Sequence, residues 1–544
     1  MKSWNIAATL KQIAESAPET PAIIVPWQNR KISFGKLHTE SSRLASGLSR
    51  LGIAKSDRVL ILVPFGIDFI LLTYALFKTG AVPVLIDPGL GRKNMLQCIE
   101  QAEPRGMIAL SLAHAARIFF PKPFRTIEVS VTVGRRWFWG GKTLRQVRQS
   151  ATADFEPAYT YENDPAAILF TSGSTGPAKG VLYTHGMFTH QVEILKSCFR
   201  LAPGQTDLPT FPLFGLFNAS LGITCVLPEM DCTRPSQVDP EKIIGPIQKY
   251  QITNSFGSPA LWDTVSRYCL EKNIRLPSLK RILMAGAPVP GPLLKRFDRI
   301  LDARAEIFTP YGATEALPVT SIDREEILAE TWDKTEQGFG ICVGRPVPGL
   351  RLKIIKITDD PIPFWDARLE PPRGEVGEVV VQGNWVTQKY FNRDDADRLA
   401  KIVSGDTFWH RMGDLGWLDS QGRLWFCGRK SHRVTTKNQT LFTIPSEAIF
   451  NRHPKVKRSA LVGLGQKPLQ EPVIIVELED KSLKLSARDR ETLVKELLDS
   501  GSGYSHTKEI KHVLIHPEFP VDIRHNAKIF REKLAPWAEK EVSK

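Results

Sequence analysis

An apolar strand pattern that runs directly into a glycine- and hydroxyl-rich loop, at residues 168–180, constrains this chain more than any other feature. Glycines let backbone N–H groups turn toward an anion, hydroxyls add donors, and a lysine adds a mobile positive charge. The pattern predicts a phosphate-binding loop, and the alternative is a polar turn after a buried strand. The loop residues concerned are Thr171, Ser172, Gly173, Ser174, Thr175, Gly176 and Lys179.

The spacing within this loop excludes the phosphate loop of P-loop nucleoside triphosphatases. Lys179 is followed by Gly180, whereas a P-loop lysine is followed by a serine or threonine that reaches magnesium. A different nucleotide-binding family is therefore required.

The whole loop, read with the strand that follows it, resembles the phosphate loop of the adenylate-forming superfamily. That superfamily contains acyl-CoA synthetases, luciferases and peptide-synthetase adenylation domains. Its other motifs occur in the expected order, so that the resemblance spans nearly the whole chain. They are Asp87-Pro88, Met284-Ala-Gly-Ala-Pro288, Tyr311-Gly-Ala-Thr-Glu315, Gly413-Asp414-Leu-Gly416 and Gly428-Arg429.

The resemblance implies that ATP is a co-substrate, that Mg²⁺ accompanies it, and that each motif has a role. The loop of residues 171–179 would hold the phosphates. The other implied contacts are Gly286, Ala287, Pro288, Tyr311, Gly312, Ala313 and Thr314 with the adenine and its surroundings, Glu315 and Thr175 with Mg²⁺, Asp414 with the ribose hydroxyls, and Arg429 with ribose or phosphate.

The superfamily also has a lysine near its C-terminus that stabilises charge on the α-phosphate and the carboxylate as the adenylate forms. In this sequence Lys528 stands in that place, although Ala527 replaces the usual glycine before it. Lys533 is the competing candidate. The resemblance thus implies a catalytic set of Lys528, Glu315 and Thr171.

The order of predicted elements indicates an α/β fold. Periodic apolar residues predict a helix over 34–51, and residues 58–63 read as a buried strand. Further predicted strands lie at 166–170, 305–308 and 378–382, further helices at 241–250 and 292–301, and a hairpin turning at Gly422 at 416–429. We expect a large N-terminal adenylation domain over 1–429 and, as the resemblance implies, a small mobile α+β domain over 430–544 that carries the catalytic lysine.

The composition is that of an ordinary globular enzyme, with 42% hydrophobic and 24% charged residues in 544. The longest apolar runs are too short to cross a bilayer, and no signal-peptide pattern follows Lys2, so we expect a cytoplasmic protein. Seven cysteines without a CxxC pair favour reduced thiols over a disulfide framework or a structural metal.

A net charge of +14 is the one unusual property, and part of it is local. Residues 117–148 contain eight Lys or Arg with Trp137-Phe-Trp139 in their midst. This pattern is compatible with a nucleic-acid or membrane-surface patch, and also with a surface loop whose aromatic residues pack inward. The sequence leaves the role of this segment open, and we expect no nucleic-acid partner.

The segment after Arg429 departs from the thioester-forming members of the superfamily, which carry a glycine there that admits the pantetheine arm of CoA. No glycine occurs between Arg429 and Glu447, and Ser431 replaces the usual Asp or Lys. In the phenylalanine-rich segment 211–217, Gly215 stands where many acyl-CoA synthetases have histidine. These differences argue against a CoA-dependent second step, and the phenylalanines predict either a roomy apolar pocket or ordinary core packing.

Together with residues 520–528, these departures resemble the β-lactone-forming synthetases of bacterial long-chain olefin biosynthesis. The resemblance implies a long-chain 2-alkyl-3-hydroxyalkanoic acid as substrate, whose own hydroxyl displaces AMP to close a β-lactone. It also implies the pathway's condensing enzyme, reductase and β-lactone decarboxylase as partners. The base for ring closure is not readable from the sequence, and His185 is a weak candidate.

Two alternatives remain at this point. One is a long-chain acyl-CoA synthetase or acyl-AMP ligase, which would consume CoA or a carrier protein. The other is a degenerate adenylate-fold protein acting as a basic binding module, against which the intact motifs argue.

Overall fold

The fold was described from a computed structural model, which covers residues 3–171, 178–480, 485–522 and 529–543. It is the α/β fold that the sequence predicts. Its strands are β1 (Pro21–Val25), β2 (Arg30–Ser33), β3 (Arg58–Leu62), β4 (Val82–Ile86), β5 (Gly106–Leu110), β6 (Val129–Val133), β7 (Lys142–Thr143), β8 (Pro165–Thr171), β9 (Lys179–Thr184), β10 (Thr206–Pro209), β11 (Thr224–Val226), β12 (Asn254–Gly257), β13 (Arg281–Met284), β14 (Glu306–Phe308), β15 (Tyr311–Ala313), β16 (Ala316–Ser321), β17 (Ile341–Pro346), β18 (Arg351–Ile355), β19 (Gly377–Gln382), β20 (Lys401–Ser404), β21 (Thr407–Leu418), β22 (Leu424–Arg429), β23 (Val434–Thr435), β24 (Thr440–Leu441), β25 (Val456–Leu464), β26 (Glu471–Leu478) and β27 (His512–Ile515).

The helices connect these strands and cover the sheets. They are α1 (Ala7–Ser16), α2 (Phe34–Arg50), α3 (Ile67–Thr79), α4 (Gly91–Ala102), α5 (Ser111–Phe119), α6 (Leu144–Gln149), α7 (His185–Phe199), α8 (Pro212–Leu221), α9 (Glu241–Lys249), α10 (Pro259–Glu271), α11 (Gly291–Arg296), α12 (Arg324–Glu326), α13 (Trp332–Glu336), α14 (Asp394–Ala400), α15 (Thr443–Asn451), α16 (Ala487–Ser502) and α17 (Arg531–Val542).

Two mostly parallel sheets form the first half of the chain. One has the strand order β7-β6-β5-β3-β4-β8-β9 and the other β14-β13-β12-β10-β11-β1-β2. The largest hydrophobic cluster joins both sheets through α2 and α3. Helix α3 is buried along almost its whole length, which explains why its sequence is apolar on every side.

A third, antiparallel sheet has the order β15-β16-β17-β22-β21-β19-β18, with β20 pairing against β21. Its β21–β22 pair is the predicted hairpin, and Gly422 makes the turn with φ +75°. The rings of Trp417 and Trp425 stack across the pair, with their centres 5.5 Å apart. This hairpin brings Asp414 and Arg429 opposite each other.

The last part of the chain has sheets and cores of its own. Strands β25, β26 and β27 form one sheet and β23 and β24 a short ribbon. The hydrophobic clusters of this part contain residues from 434 onward, whereas the other clusters end at Trp425 or earlier. This separation supports a domain boundary at Arg429, which remains a prediction.

Most of the predicted elements are confirmed within a residue or two, as α2, β3, β8, β14, β19 and α9 show. The predicted helix over 292–301 is wrong in its second half. It ends at Arg296 and continues as a 3₁₀ turn over Phe297–Arg299, a tightening that is frequent at helix C-termini. None of the seven cysteines, all of which are described, is in a disulfide bond. None of the described helices is long and apolar enough to cross a membrane.

Candidate active site

The ends of neighbouring parallel strands place the first motifs side by side. Strand β4 pairs with β8, and the N–H of Asp87, just beyond β4, donates to the carbonyl of Phe170, 3.0 Å away. Strands β8 and β9 form a hairpin in which Thr171 lies opposite Lys179. The loop between them, with Ser172, Gly173, Ser174, Thr175 and Gly176, lies outside the described residues, so its phosphate role stays a prediction, as does that of Thr171.

Tyr390 joins Lys179 to Glu315. The ammonium nitrogen of Lys179 lies 4.9 Å from the centre of the Tyr390 ring, and the Tyr390 hydroxyl donates to Glu315 Oε1, 2.7 Å away. Burial, and then the neighbouring Glu315 carboxylate, raise the pKa of Tyr390 far above its usual range. This tyrosine therefore stays a neutral donor that orients the carboxylate. Sequence reasoning missed Tyr390, because no motif contains it.

Asp414 accepts from two partners deep in the third sheet. The Tyr311 hydroxyl donates to its Oδ2 at 2.5 Å, and Arg429 Nη1 lies 2.9 Å from its Oδ1. Burial raises the pKa of Asp414, while Arg429 and the tyrosine act in the opposite direction. The Asp414 charge raises the pKa of Arg429 in turn. The predicted ribose and adenine residues thus form one hydrogen-bonded group, with acceptor sites left on the carboxylate for ribose hydroxyls.

The glycine of the Tyr311 motif is required by space. A Cβ atom at Gly312 would lie 2.5 Å from the carbonyl oxygen of Ala316, so the β15–β16 turn admits only glycine. The Tyr183 hydroxyl fixes the next turn by donating to the carbonyl of Thr314. Backbone from Gly312 to Glu315 is thereby held against the site.

A cavity of about 550 Å³ connects these groups. Its polar wall includes Asp87, Lys179, Gly286, Gly312, Ala313, Thr314, Glu315 and Arg429, all predicted from the motifs. Tyr311 and Asp414 stand behind this wall, and Arg429 joins them to it. Ala287 and Pro288 are not among the described residues that line the cavity.

The opposite wall of the cavity is apolar. Phe211, Phe214 and Phe256 line it, and the first two of these, with Leu317, also line a second, apolar cavity of about 70 Å³. The phenylalanine-rich segment therefore lines cavities, which favours the substrate-pocket interpretation over simple core packing. Gly215 is explained by space as well, because a Cβ there would lie 2.4 Å from the ring of Phe65.

Asp207 lies beneath this aromatic wall, and its buried carboxyl group should make the stability of the protein depend on pH. It is buried in β10, and Asn218 donates to its Oδ2 at 2.6 Å. Burial raises the pKa of Asp207 to about 7, against about 3.9 in an unfolded chain. Between those pH values the Asp207 carboxyl is protonated in the folded protein and ionised in the unfolded chain. The free energy of unfolding therefore falls as the pH rises, by on the order of 4 kcal/mol in all.

We therefore expect Asp207→Asn to remove this pH dependence. Thermal unfolding of both proteins, followed from about pH 5 to about pH 8, should show the variant gaining stability relative to the parent as the pH rises. A difference that is constant over this range would contradict the raised pKa.

Ion pairs hold the segment that follows Arg429. Lys430 Nζ lies 3.1 Å from Glu378 Oε1, and Arg411 lies 2.6 Å from the other oxygen of this buried carboxylate. Arg433 pairs with Asp359 at 2.5 Å. Lys430, Glu378 and Asp359 all line the cavity. The sequence did not indicate this cluster, because its partners lie 33 to 74 positions apart in the chain.

Two further candidates lie away from the cavity. His185 is buried against Phe77, its Nδ1 accepts the N–H of Ile6 at 3.3 Å, and burial lowers its pKa to about 4. These contacts make it a core residue and not a base. Lys533 is exposed on α17, with its Nζ 4.9 Å from the ring of Phe530. Lys528 lies outside the described residues.

Comparison with known proteins identifies the family of the chain. The profile of the AMP-binding enzyme family matches residues 10–391, and the chain belongs to that family. It is an AMP-forming ligase, and the family binds ATP.

Two bacterial proteins are similar to it over nearly their whole length. The olefin beta-lactone synthetase of Xanthomonas campestris pv. campestris is 44% identical, over 98% of this chain and 97% of that protein. The olefin beta-lactone synthetase of Stenotrophomonas maltophilia is 43% identical, over 99% of each.

Solved structures share the fold at lower identity. The O-succinylbenzoate coenzyme A synthetase of Bacillus subtilis, in complex with AMP, superposes with a TM-score of 0.76 at 22% identity, over 97% of each chain. An amide bond synthetase of Marinactinospora thermotolerans gives 0.78 at 20% identity, over 98% of this chain and 99% of that one. At these identities the likeness concerns the fold alone.

Proposed function

We propose that this protein is an ATP-dependent olefin β-lactone synthetase acting on long-chain 2-alkyl-3-hydroxyalkanoic acids. The observation that carries the proposal is the cavity that runs from Glu315 and Arg429 to a wall of phenylalanines, in a chain 44% identical over nearly its whole length to an olefin β-lactone synthetase. Its polar end suits a nucleotide and its apolar end suits alkyl chains.

The reaction has two steps. The substrate carboxylate attacks the α-phosphorus of ATP, the bond to the β-phosphate breaks, and pyrophosphate leaves. The 3-hydroxyl oxygen then attacks the acyl carbon, loses its proton, and displaces AMP as the four-membered ring closes. Both reacting groups belong to one bound molecule, so the high effective concentration of oriented neighbours accelerates the second step.

The chain's own residues bind and orient ATP. Asp414 accepts the ribose hydroxyls while Arg429 and Tyr311 hold that carboxylate in place. The loop of residues 172–177 and Lys179 bind the phosphates, and Lys528 stabilises the charge that develops on the α-phosphate. The apolar wall of the cavity excludes water that would hydrolyse the adenylate.

The described residues fit a magnesium ion that travels with ATP. Mg²⁺ is typically bound through one or two carboxylates together with substrate phosphates and water. Glu315 is a cavity carboxylate already oriented by Tyr390, and no group of three or more potential protein ligands is present among the described residues. We propose that Glu315, with Thr175, holds the ion, which supplies charge neutralisation at the phosphates.

The substrate and product place the enzyme in a reaction sequence. We propose that a condensing enzyme and a reductase supply the hydroxy acid, that a decarboxylase consumes the β-lactone, and that all work in the cytoplasm. Each of these enzymes handles molecules with two long alkyl chains.

Analysis of the product without heating tests the proposal, since heat drives CO₂ from β-lactones. We expect purified protein, Mg·ATP and a racemic long-chain 2-alkyl-3-hydroxy acid to yield a β-lactone, AMP and pyrophosphate in the absence of CoA, as read by NMR. Addition of CoA should not change the product. A thioester formed only in the presence of CoA would instead identify a long-chain acyl-CoA synthetase.

A further inference from the structure

The segment around residues 111–145 forms a surface that ATP binding does not explain. We propose that this surface binds the face of an anionic phospholipid bilayer. We call it the basic apolar surface, and it consists of the exposed apolar residues Leu112, Ile118, Phe119, Phe120, Trp137 and Phe138 with the exposed cations Lys122, Arg125, Arg135, Arg136, Lys142 and Arg145.

The aromatic tip of this surface, Trp137 and Phe138, is exposed because the next residue is buried. Trp139 is buried, its indole N–H donates to Thr132 Oγ1 at 2.9 Å, and its ring stacks on His114. This anchor turns its two neighbours outward, so that Trp137 is 50% and Phe138 78% exposed. Of the two interpretations that the sequence left open, inward packing of the aromatic residues holds for Trp139, and not for Trp137 and Phe138.

Helix α5 adds a second apolar element beside this tip. Leu112 and Phe119 are seven residues apart, hence on one helical face, and they are 76% and 77% exposed. The other face of α5 packs on β6 through His114, whose Nε2 lies 3.0 Å from the carbonyl of Val131. Soluble monomers rarely expose a contiguous group of large apolar side chains without using it.

The charge of the surface is mostly positive, although one of its cations, Lys122, pairs with Glu100 at 3.0 Å. Residues 111–145 contain seven Lys or Arg and a single acidic residue, Glu128, which pairs with Arg105 at 2.8 Å. Arg135 and Arg136 stand directly beside the exposed Trp137 and Phe138. Cations interleaved with tryptophan and phenylalanine match the headgroup region of an anionic bilayer, where the rings enter the acyl boundary and the cations meet phosphates.

The position of the surface agrees with this use. Its aromatic tip and the first turn of α5 lie where β6 and β5 end, at the same sheet edge where β4 and β8 end at Asp87 and Thr171, whereas Lys122 and Arg125 lie toward the edge where β6 begins. Strand β3 lies between them, and beyond its end Phe65 packs on Gly215 of the substrate wall. With strands about 4.8 Å apart, β6 is about 15 Å from β4. The aromatic tip of the basic apolar surface and the apolar cavity therefore lie at the same edge of the sheet.

A bilayer is a suitable reservoir for an acid with two long alkyl chains. This use of the surface, to take substrate from lipid, rests on the proposed function. Lipid binding itself does not, since it needs neither ATP nor the acid.

Flotation of the full-length protein with vesicles tests the inference. We expect it to bind phosphatidylcholine vesicles containing about 30% phosphatidylglycerol, and to bind pure phosphatidylcholine vesicles weakly. Binding should fall when salt rises from about 0.05 M to about 0.5 M, because screening weakens the charge attraction. The triple variant Phe119→Ser, Trp137→Ser, Phe138→Ser should lower the partition coefficient by about tenfold or more, since it removes the inserted rings.

A matched control uses exposed apolar residues elsewhere, Phe364→Ser with Leu469→Ser, and should bind like the parent protein. The double variant Arg135→Glu, Arg136→Glu tests the charge separately, should the triple variant fail to fold. Parent protein that does not float with anionic vesicles at low salt would overturn the proposal and leave the surface to a protein partner. Equal binding by the triple variant and the parent would overturn it too. If the parent protein failed to form β-lactone from acid dispersed in detergent, that result would contradict the proposed function and leave lipid binding unaffected.

Discussion

Replacing Lys528 by alanine should lower the rate of acyl-adenylate formation by about two to three orders of magnitude. A positioned cation that stabilises the charge developing at the α-phosphate in the transition state typically raises the rate by this factor. The adenylation step is measured as pyrophosphate release in a single turnover with Mg·ATP and the hydroxy acid. Binding of ATP should change little, because the lysine acts on the transition state.

Lys533 provides the matched control on the same chain segment. It is exposed and its ammonium lies over the ring of Phe530, so Lys533→Ala should leave the rate within about twofold of the parent. A large loss in Lys533→Ala with near-normal rates in Lys528→Ala would reverse the assignment. A synthetic acyl-adenylate offered to Lys528→Ala should still close to the β-lactone, which separates the first step from the second.

The second large effect concerns Asp414. Asp414→Asn should raise the KM for ATP by about a hundredfold, because the variant loses the charge that holds Arg429 and weakens acceptance of the ribose hydroxyls. Tyr311→Phe removes one hydrogen bond to the same carboxylate and should cost about tenfold. Initial rates over a range of ATP concentrations give both values.

A neighbouring aspartate separates nucleotide binding from stability. Asp419 belongs to the same hairpin, but its partners, Arg423 at 2.7 Å and Trp425, do not line the cavity, whereas the partner of Asp414, Arg429, does. Asp419→Asn should lower the melting temperature and leave the KM for ATP unchanged. If both aspartate variants changed the KM alike, the role of Asp414 would be structural.

The β21–β22 hairpin shows which structural features could be predicted from the sequence. Its two strands and the Gly422 turn were predictable from alternation and turn chemistry. The pairing of Asp414 with Arg429 was not, because a bulge between Leu415 and Gly416 shifts the register by one residue, and a one-residue shift exchanges the faces of a strand. Motif resemblance supplied what the local pattern could not.

Residues outside motifs escaped prediction for a related reason. Tyr390 meets Glu315 from 75 positions away, and Arg411 meets Glu378 across 33. Such pairs are products of tertiary packing and leave no periodic trace in the chain. The basic segment was visible in the sequence, yet only the buried anchor Trp139 decides which of its aromatic rings face outward.

The ion pairs that hold Lys430 and Arg433 carry a final consequence. If the chain turned at the proposed boundary after Arg429 to admit a separate acyl acceptor, each turn would separate Lys430 from the buried Glu378 and Arg433 from Asp359. A ligase whose acyl acceptor is a hydroxyl group of the substrate itself does not need this movement. The ion pairs of Lys430 and Arg433 can therefore persist through both steps of β-lactone formation.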